Sequence, residues 1–498
     1  NLMYGGSNVA VGKDALLGAS FTDDVRGSDI ASGTSLVMDG ANTNIIVGLG
    51  VKAATGVIPD GVYITTVNQT SDPATFVISS ALSANLVAGT TLTFYSRTEG
   101  SVAIGTDALT ALTTGSANTA VGYQSLDANT TGQYNIAIGY SALTSETDAD
   151  KCIAIGYRAL YTQNYSSGGD INNVAIGANA GYGITTGTDN VMIGTNAMSN
   201  IGQASGANNV AIGTAAMKGA AGSVASNDAQ DNIAIGTTSL TLITTGDDNV
   251  CVGKNTGYKI TTGSSNTFIG NNCGDGIDVE SENVAIGGGA LANSSAAVTG
   301  AVFIGYGANS GAITTGANYT VGIGHSALAA LTSGTGNVAV GYQALDAATT
   351  DDYNTAVGHQ ALSGVTGTND NYNTAVGYQA GLAVTVGTNN TLLGYGAADS
   401  MTVGDKNTAL GALTMAQVTT NDVQGCVAIG YRALLGETTT SAGANYTIAV
   451  GESALENLTT GGGNVSVGYI AGSNVTTGAY NTLIGYSAGM VSGTAYGL

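Results

Sequence analysis

The phrase Asn337-Val338-Ala339-Val340-Gly341-Tyr342-Gln343-Ala344-Leu345 returns, nearly unchanged, as Asn354-Thr355-Ala356-Val357-Gly358-His359-Gln360-Ala361-Leu362. Aligned on its glycine, the phrase recurs at Gly12 and then from Gly105 to Gly485, most often 17 residues apart and otherwise 18 to 23. A fixed period of this length marks a repeat architecture, in which one unit cannot bury its apolar face alone and each stacks on the next.

Each slot of the unit has its own chemistry. The residue before the anchor glycine is Ile or Val except at Leu393 and Leu410, and two residues earlier stands Val, Ile or Thr. These two positions share one face of an extended strand, and β-branched residues favour that geometry. Between them lies Ala in most units, with Phe268, Phe303, Met192, Leu392 or Leu483 in others and never a charge. Both faces of the strand are therefore expected to be buried, one inside a coil and the other against another wall of the coil or another chain. Four residues before the anchor, Asn recurs (Asn118, Asn135, Asn173, Asn190, Asn249, Asn266, Asn337, Asn354, Asn373, Asn464, Asn481), as an amide ladder along a stack of rungs requires. A Thr-Thr-Gly corner follows in many units, as at Thr113-Thr114-Gly115, where the glycine is expected to supply positive φ.

A strand, a corner, a second short apolar segment and another corner describe one coil of an all-β solenoid or β-prism rod. About 22 stacked 17-residue coils, at about 4.8 Å per rung, predict a rod of roughly 100 Å. The repeat is interrupted between Gly12 and Gly105, where both prolines fall. Segments there (35–39, 61–68, 74–82 and 90–97) read as strands between turns. The expected organisation is a lone first coil at 1–17, a small inserted β domain at 18–99, a solenoid shaft at 100–490 and a tail at 491–498.

Composition excludes several alternatives. With 77 glycines but 2 prolines and no Gly-X-Y period, the chain is not collagen. Its 43% hydrophobic residues argue against disorder, and no run of eighteen apolar residues spans a membrane as a helix. A formal net charge of −22 argues against nucleic acid as a partner. Neither a methionine nor a basic segment with an apolar run opens the chain, as expected of a mature product or part of a longer one.

Reactive constellations are scarce. Gly485-Tyr486-Ser487-Ala488-Gly489 matches G-x-S-x-G, but no histidine follows it and Gly139-Tyr140-Ser141-Ala142-Leu143 is nearly the same phrase. The four cysteines show no C-x-x-C and read as small buried thiols, with no zinc site or disulfide framework. No cofactor is expected; Ca²⁺ at corner pairs such as Asp247-Asp248 and Asp351-Asp352 is a weaker reading than solvated turns. The one candidate binding stripe follows the anchor: Tyr123, Tyr140, Tyr157, Tyr306, His325, Tyr342, His359, Tyr378, Tyr395, Tyr431, Tyr469 and Tyr486. Such rings can stack on sugars, or on each other as a structural ladder, and the ladder is the plainer reading.

The units Asn118–Leu126 and Asn337–Leu345 resemble the repeats of bacteriophage tail-fibre and tail-fibre-domain proteins and, more distantly, the head repeats of trimeric autotransporter adhesins. The resemblance covers about residues 100–490. It implies a homotrimeric fibre at a virion or extracellular surface, with a shaft or adhesive role. Neither a self-cleaving chaperone domain nor an autotransporter anchor is found within residues 1–498, and the second lack weighs against the autotransporter reading. The expected function is a structural, non-enzymatic fibre shaft. The alternatives are a self-assembling extracellular filament joined end to end and an adhesin binding cell-surface glycans.

Overall fold

The computed structural model describes residues 100–489, apart from 166–167, 201–205, 221–227, 295–297, 315, 368–370, 420–422 and 437–442, and seven strands before residue 100. Strands and turns make up all of it, with no helix among the described residues. Parallel strands about 17 residues apart form a β-solenoid of about 21 turns, counted over two compact units: residues 1–237 with 243–245, and residues 238–242 with 246–498.

In the first unit, three-residue strands run from Val102–Ile104 to Ile233–Ile235, each pairing in parallel and in register with the next. The strand Val9–Val11 joins the same ladder across the insertion, with Val9 opposite Val102. The inserted segment holds two three-stranded antiparallel sheets, ordered Ser20–Asp24, Thr91–Tyr95, Gly50–Ala53 and Ser35–Val37, Thr75–Ile78, Ile64–Asn68. Each of the four expected strands is present. Ser20–Asp24 and Gly50–Ala53 are additional. The boundary at 17–18 and the tail at 491–498 fall outside the described residues. In the second unit, fourteen such strands run from Val250–Val252 to Thr482–Ile484 in one parallel ladder.

The interior is built from the middle residue of each strand. Ala103, Ala120, Ala137 and their counterparts are fully buried, as are leucines such as Leu109 and Leu126 four residues after the anchor. A larger residue in the middle slot is matched by a smaller one nearby, because a coil of fixed cross-section holds a fixed volume. Phe268 lies against Gly274, where a Cβ would strike its ring, and Gly322 leaves the same room beside Phe303.

The remainder of each coil departs from expectation. The second apolar segment is a run of turns in which the residues two and four after the anchor have positive φ whatever their type, as at Gln124 (52°) and Leu126 (51°). A third such position lies five before the anchor, as at Tyr134 (59°). Each costs a non-glycine residue roughly 1–2 kcal/mol, which bonds to both neighbouring coils offset. Gln124 N donates to Thr106 O (3.0 Å), and Leu126 N donates to Ala142 O (3.1 Å).

Two glycine roles follow from this. The anchors have φ between 125° and 145°, outside the reach of other residues, and a Cβ on Gly341 would land on the Gly358 carbonyl of the next coil. The Thr-Thr-Gly glycine was expected to supply positive φ, which Gly316 (44°) and Gly461 (107°) do and Gly115, Gly132 and Gly263 do not. Gly115 is absent from the positive-φ positions, and it is glycine because a Cβ would meet Gly132 O one coil on.

Candidate interaction surface

Inside each coil the Asn ladder ties rung to rung. Asn118 Oδ1 accepts from Asn135 N (3.0 Å), while Asn118 Nδ2 donates to the corner carbonyl of Gly132 (2.8 Å). The same pattern recurs at Asn173 with Asn190, Asn249 with Asn266, Asn337 with Asn354, Asn354 with Asn373 and Asn464 with Asn481. In several rungs the amides also bond one another, as Asn190 Nδ2 to Asn173 Oδ1 (3.2 Å). Asn209, Asn232, Asn283, Asn390 and Asn407 belong to the ladder too, by the same backbone-to-amide bonds. Where Cys152 interrupts it, Gln163 steps in, donating to Cys152 Sγ (3.0 Å) and accepting from Asn173 Nδ2 (2.9 Å). These amides satisfy buried backbone and are not available to a ligand.

The strand's outer face is different. The residues flanking each buried alanine are half-buried or exposed: Ile104 is 39% accessible, Leu393 42% and Leu410 41%. No wall of the same coil covers them. The expectation that both strand faces are buried therefore fails for the single chain. Each coil is closed by its own chain, and the second apolar face is left outside. The result is a column of Ile, Val and Leu beside one of Val, Ile and Thr, neither with a charged residue, in a chain with 33 acidic side chains.

Aromatic columns border this face. On the margin after the anchor, Tyr123, Tyr140 and Tyr157 stack with centroids 5.3 and 5.4 Å apart. Tyr306, His325, Tyr342, His359, Tyr378 and Tyr395 form a six-ring run spaced 4.9 to 5.5 Å. Tyr469 and Tyr486 form a shorter pair (5.4 Å), while Tyr431 stands between coils carrying Ala412 and Glu452 in that slot. The stripe read from the sequence is thus assembled mostly as a ladder, with ring faces turned to each other and edges to solvent. His325 Nδ1 lies 2.9 Å from Ser326 Oγ.

On the opposite margin is a column that the sequence reading missed, at the positive-φ corner five before the anchor. It carries Tyr134, Tyr319, Tyr353, Tyr372, Tyr446 and Tyr480, from 48% to 80% accessible. Tyr353 and Tyr372 stack at 5.3 Å, and four of these rings lie back over a glycine in the same slot of the preceding coil (Gly300, Gly336, Gly425, Gly463). That glycine, one coil upstream of four of the six rings, is the signal that reveals the column.

The polar groups offer little chemistry. Burial raises the thiols of Cys152 and Cys273 to about 12 and Cys426 to about 11, and Cys251 moves up for the same reason. Such thiols are poor nucleophiles and poor metal ligands. Of the corner acids, Asp351 is buried and holds a bond from Thr349 N, and Asp352 accepts from Thr335 N. No cluster of three metal-ligating side chains occurs among the described residues. Comparison with protein-family models, curated proteins and solved structures finds no match.

Proposed function

We propose that the chain is the structural shaft of a fibre, such as a phage tail fibre or similar surface appendage. It spaces or presents an adhesive tip, and three copies lie side by side. The uncovered strand face carries this reading. It is built of Ile, Val, Leu and Thr, uncharged and repeated at every rung, and charge depletion with tyrosine enrichment is the composition of a protein interface core. Fourteen rungs need contribute only about 60 Å² each to reach the roughly 800 Å² per partner of a stable interface. The resemblance to tail-fibre repeats supports the number three and the extracellular or virion setting. No catalytic step is assigned, because the thiols are buried and the two histidines are members of a stacked column. Solution mass with negative-stain imaging tests the proposal. Elongated particles with the mass of three chains are expected, and compact particles with the mass of one chain would overturn it.

A further inference from the structure

We propose that the open face of Tyr395 and the carboxylate of Asp399 form a binding site for a guanidinium group, such as the side chain of an arginine-bearing peptide. The guanidinium takes the place that Arg158 fills in an equivalent coil. Every group in the site belongs to one chain.

Two stacked runs of rings end in the same way. Tyr123, Tyr140 and Tyr157 stop at Ala178, and the run from Tyr306 to Tyr395 stops at Ala412. These alanines hold the ring slot of the next rung, since Ile155 pairs with Ile176 and Leu393 with Leu410. Each last tyrosine therefore has one face with no ring upon it. At Tyr157 the chain fills the vacancy itself. The Arg158 guanidinium lies 5.1 Å from the Tyr157 ring centroid and 5.2 Å from that of Tyr161, within reach of cation–π attraction to both.

The coil of Tyr395 keeps this frame but lacks the arginine. Gly396 stands in the slot of Arg158, at nearly the same φ (56° against 54°), and Asp399 stands in the slot of Tyr161. Tyr395 is accordingly 57% accessible where Tyr157 is 47%. A Cβ on Gly396 would lie 3.3 Å from Asp399 Oδ2, so the carboxylate borders the point from which an arginine would extend. Leu413 Cδ2, 3.1 Å from the same point, gives the site an apolar side. Asp399 accepts from Ser400 Oγ (3.1 Å) and belongs to neither ion pair found among the described residues. Burial raises its carboxyl above the usual value, with no nearby cation to offset this. Tyr431, two rungs from Tyr395 and so about 10 Å away, forms the far wall of a gap one ring thick. A carboxylate beside an uncovered π face favours a cation, and a guanidinium, unlike an ammonium, is flat enough to stack there. The net charge of −22 draws such cations to the chain.

Saturation-transfer NMR titrations of the full-length chain with N-acetyl-argininamide and N-acetyl-lysinamide, which carry the same charge, test the site. The arginine compound is expected to bind about threefold more tightly, or better. Equal affinities, or no binding of either, would overturn the proposal. Gly396→Arg supplies the guanidinium from the chain itself and should remove the preference. The backbone suits that change, because Arg158 and Arg432 hold the same slot at φ of 54° and 55°. A preference that survives Gly396→Arg would place the binding elsewhere and overturn the site. Should this variant melt below the native chain, Tyr395→Leu and Asp399→Asn decide the matter. Each should weaken binding of the arginine compound about two- to fivefold, and native affinity in either would overturn the site.

Discussion

Glu146 and Asp351 are both buried carboxylates, and their surroundings separate them. Glu146 Oε1 accepts from the backbone of Thr147, Asp148 and Ala149 at 2.9 to 3.0 Å, and its Oε2 accepts from Gln163 Nε2 and Tyr165 N. Asp351 Oδ2 takes one bond of 3.3 Å from Thr349 N, while its Oδ1 has no partner and Asn371 Nδ2 lies nearby unbonded. Burial, with the adjacent Asp352 adding to it, therefore pushes the Asp351 carboxyl up from 3.8 to about 6. Because its folded pKa lies above the unfolded one, the folded chain binds the proton more tightly. This contribution favours folding fully below about pH 4 and is lost as the pH rises through about 6. Asp351→Asn should raise Tm by roughly 2 °C at pH 7.5 and leave it nearly unchanged at pH 4. Thermal melts at the two pH values check this; a variant less stable at pH 7.5 would show that the ionised carboxylate is useful where it sits.

At the scale of the coil, the strand was legible in the sequence because its demands are chemical. β-Branched residues flank a small inward one, and the ladder Asn meets backbone groups that no other side chain of its size satisfies as fully. The turn run was not legible. Positive φ normally selects glycine or asparagine, but here bonds to two neighbouring coils hold the backbone, so Gln124, Arg158 and Leu126 occupy such positions and erase the signal. At Gly115 the Thr-Thr-Gly glycine misled for a related reason, since its constraint there is the next coil's carbonyl and not its own dihedral. The candidate site was half visible, because the Tyr/His stripe repeats in one slot while the corner column is diluted by Gly, Asn, Asp and Lys. If a coil's contacts are only with its neighbours, a whole coil is removable. Deleting 338–354 joins Asn337 to Thr355 in the correct slot and should give a folded chain with a nearly unchanged β-sheet circular dichroism spectrum and Tm. Deleting only 338–345 removes the strand and anchor glycine of one coil and leaves the rest of that coil without a rung, and should lower Tm clearly below that of the whole-coil deletion. Equal behaviour of the two deletions would mean that rung register does not hold the fold together.

For the whole molecule, a net charge of −22 and an uncharged strand face pull in opposite directions. Copies brought together repel through their corners and attract through aliphatic and aromatic columns, and salt acts on these two terms differently. The screening length falls from about 30 Å at 0.01 M to about 10 Å at 0.1 M, which removes most of the repulsion and leaves the apolar contact intact. Association should therefore tighten as sodium chloride rises from 0.01 to 0.5 M, read as a growing assembled fraction in sedimentation at fixed chain concentration. Assembly that instead weakens with salt would show that charge pairs hold the copies together, and the aliphatic face would lose its claim to be the contact surface.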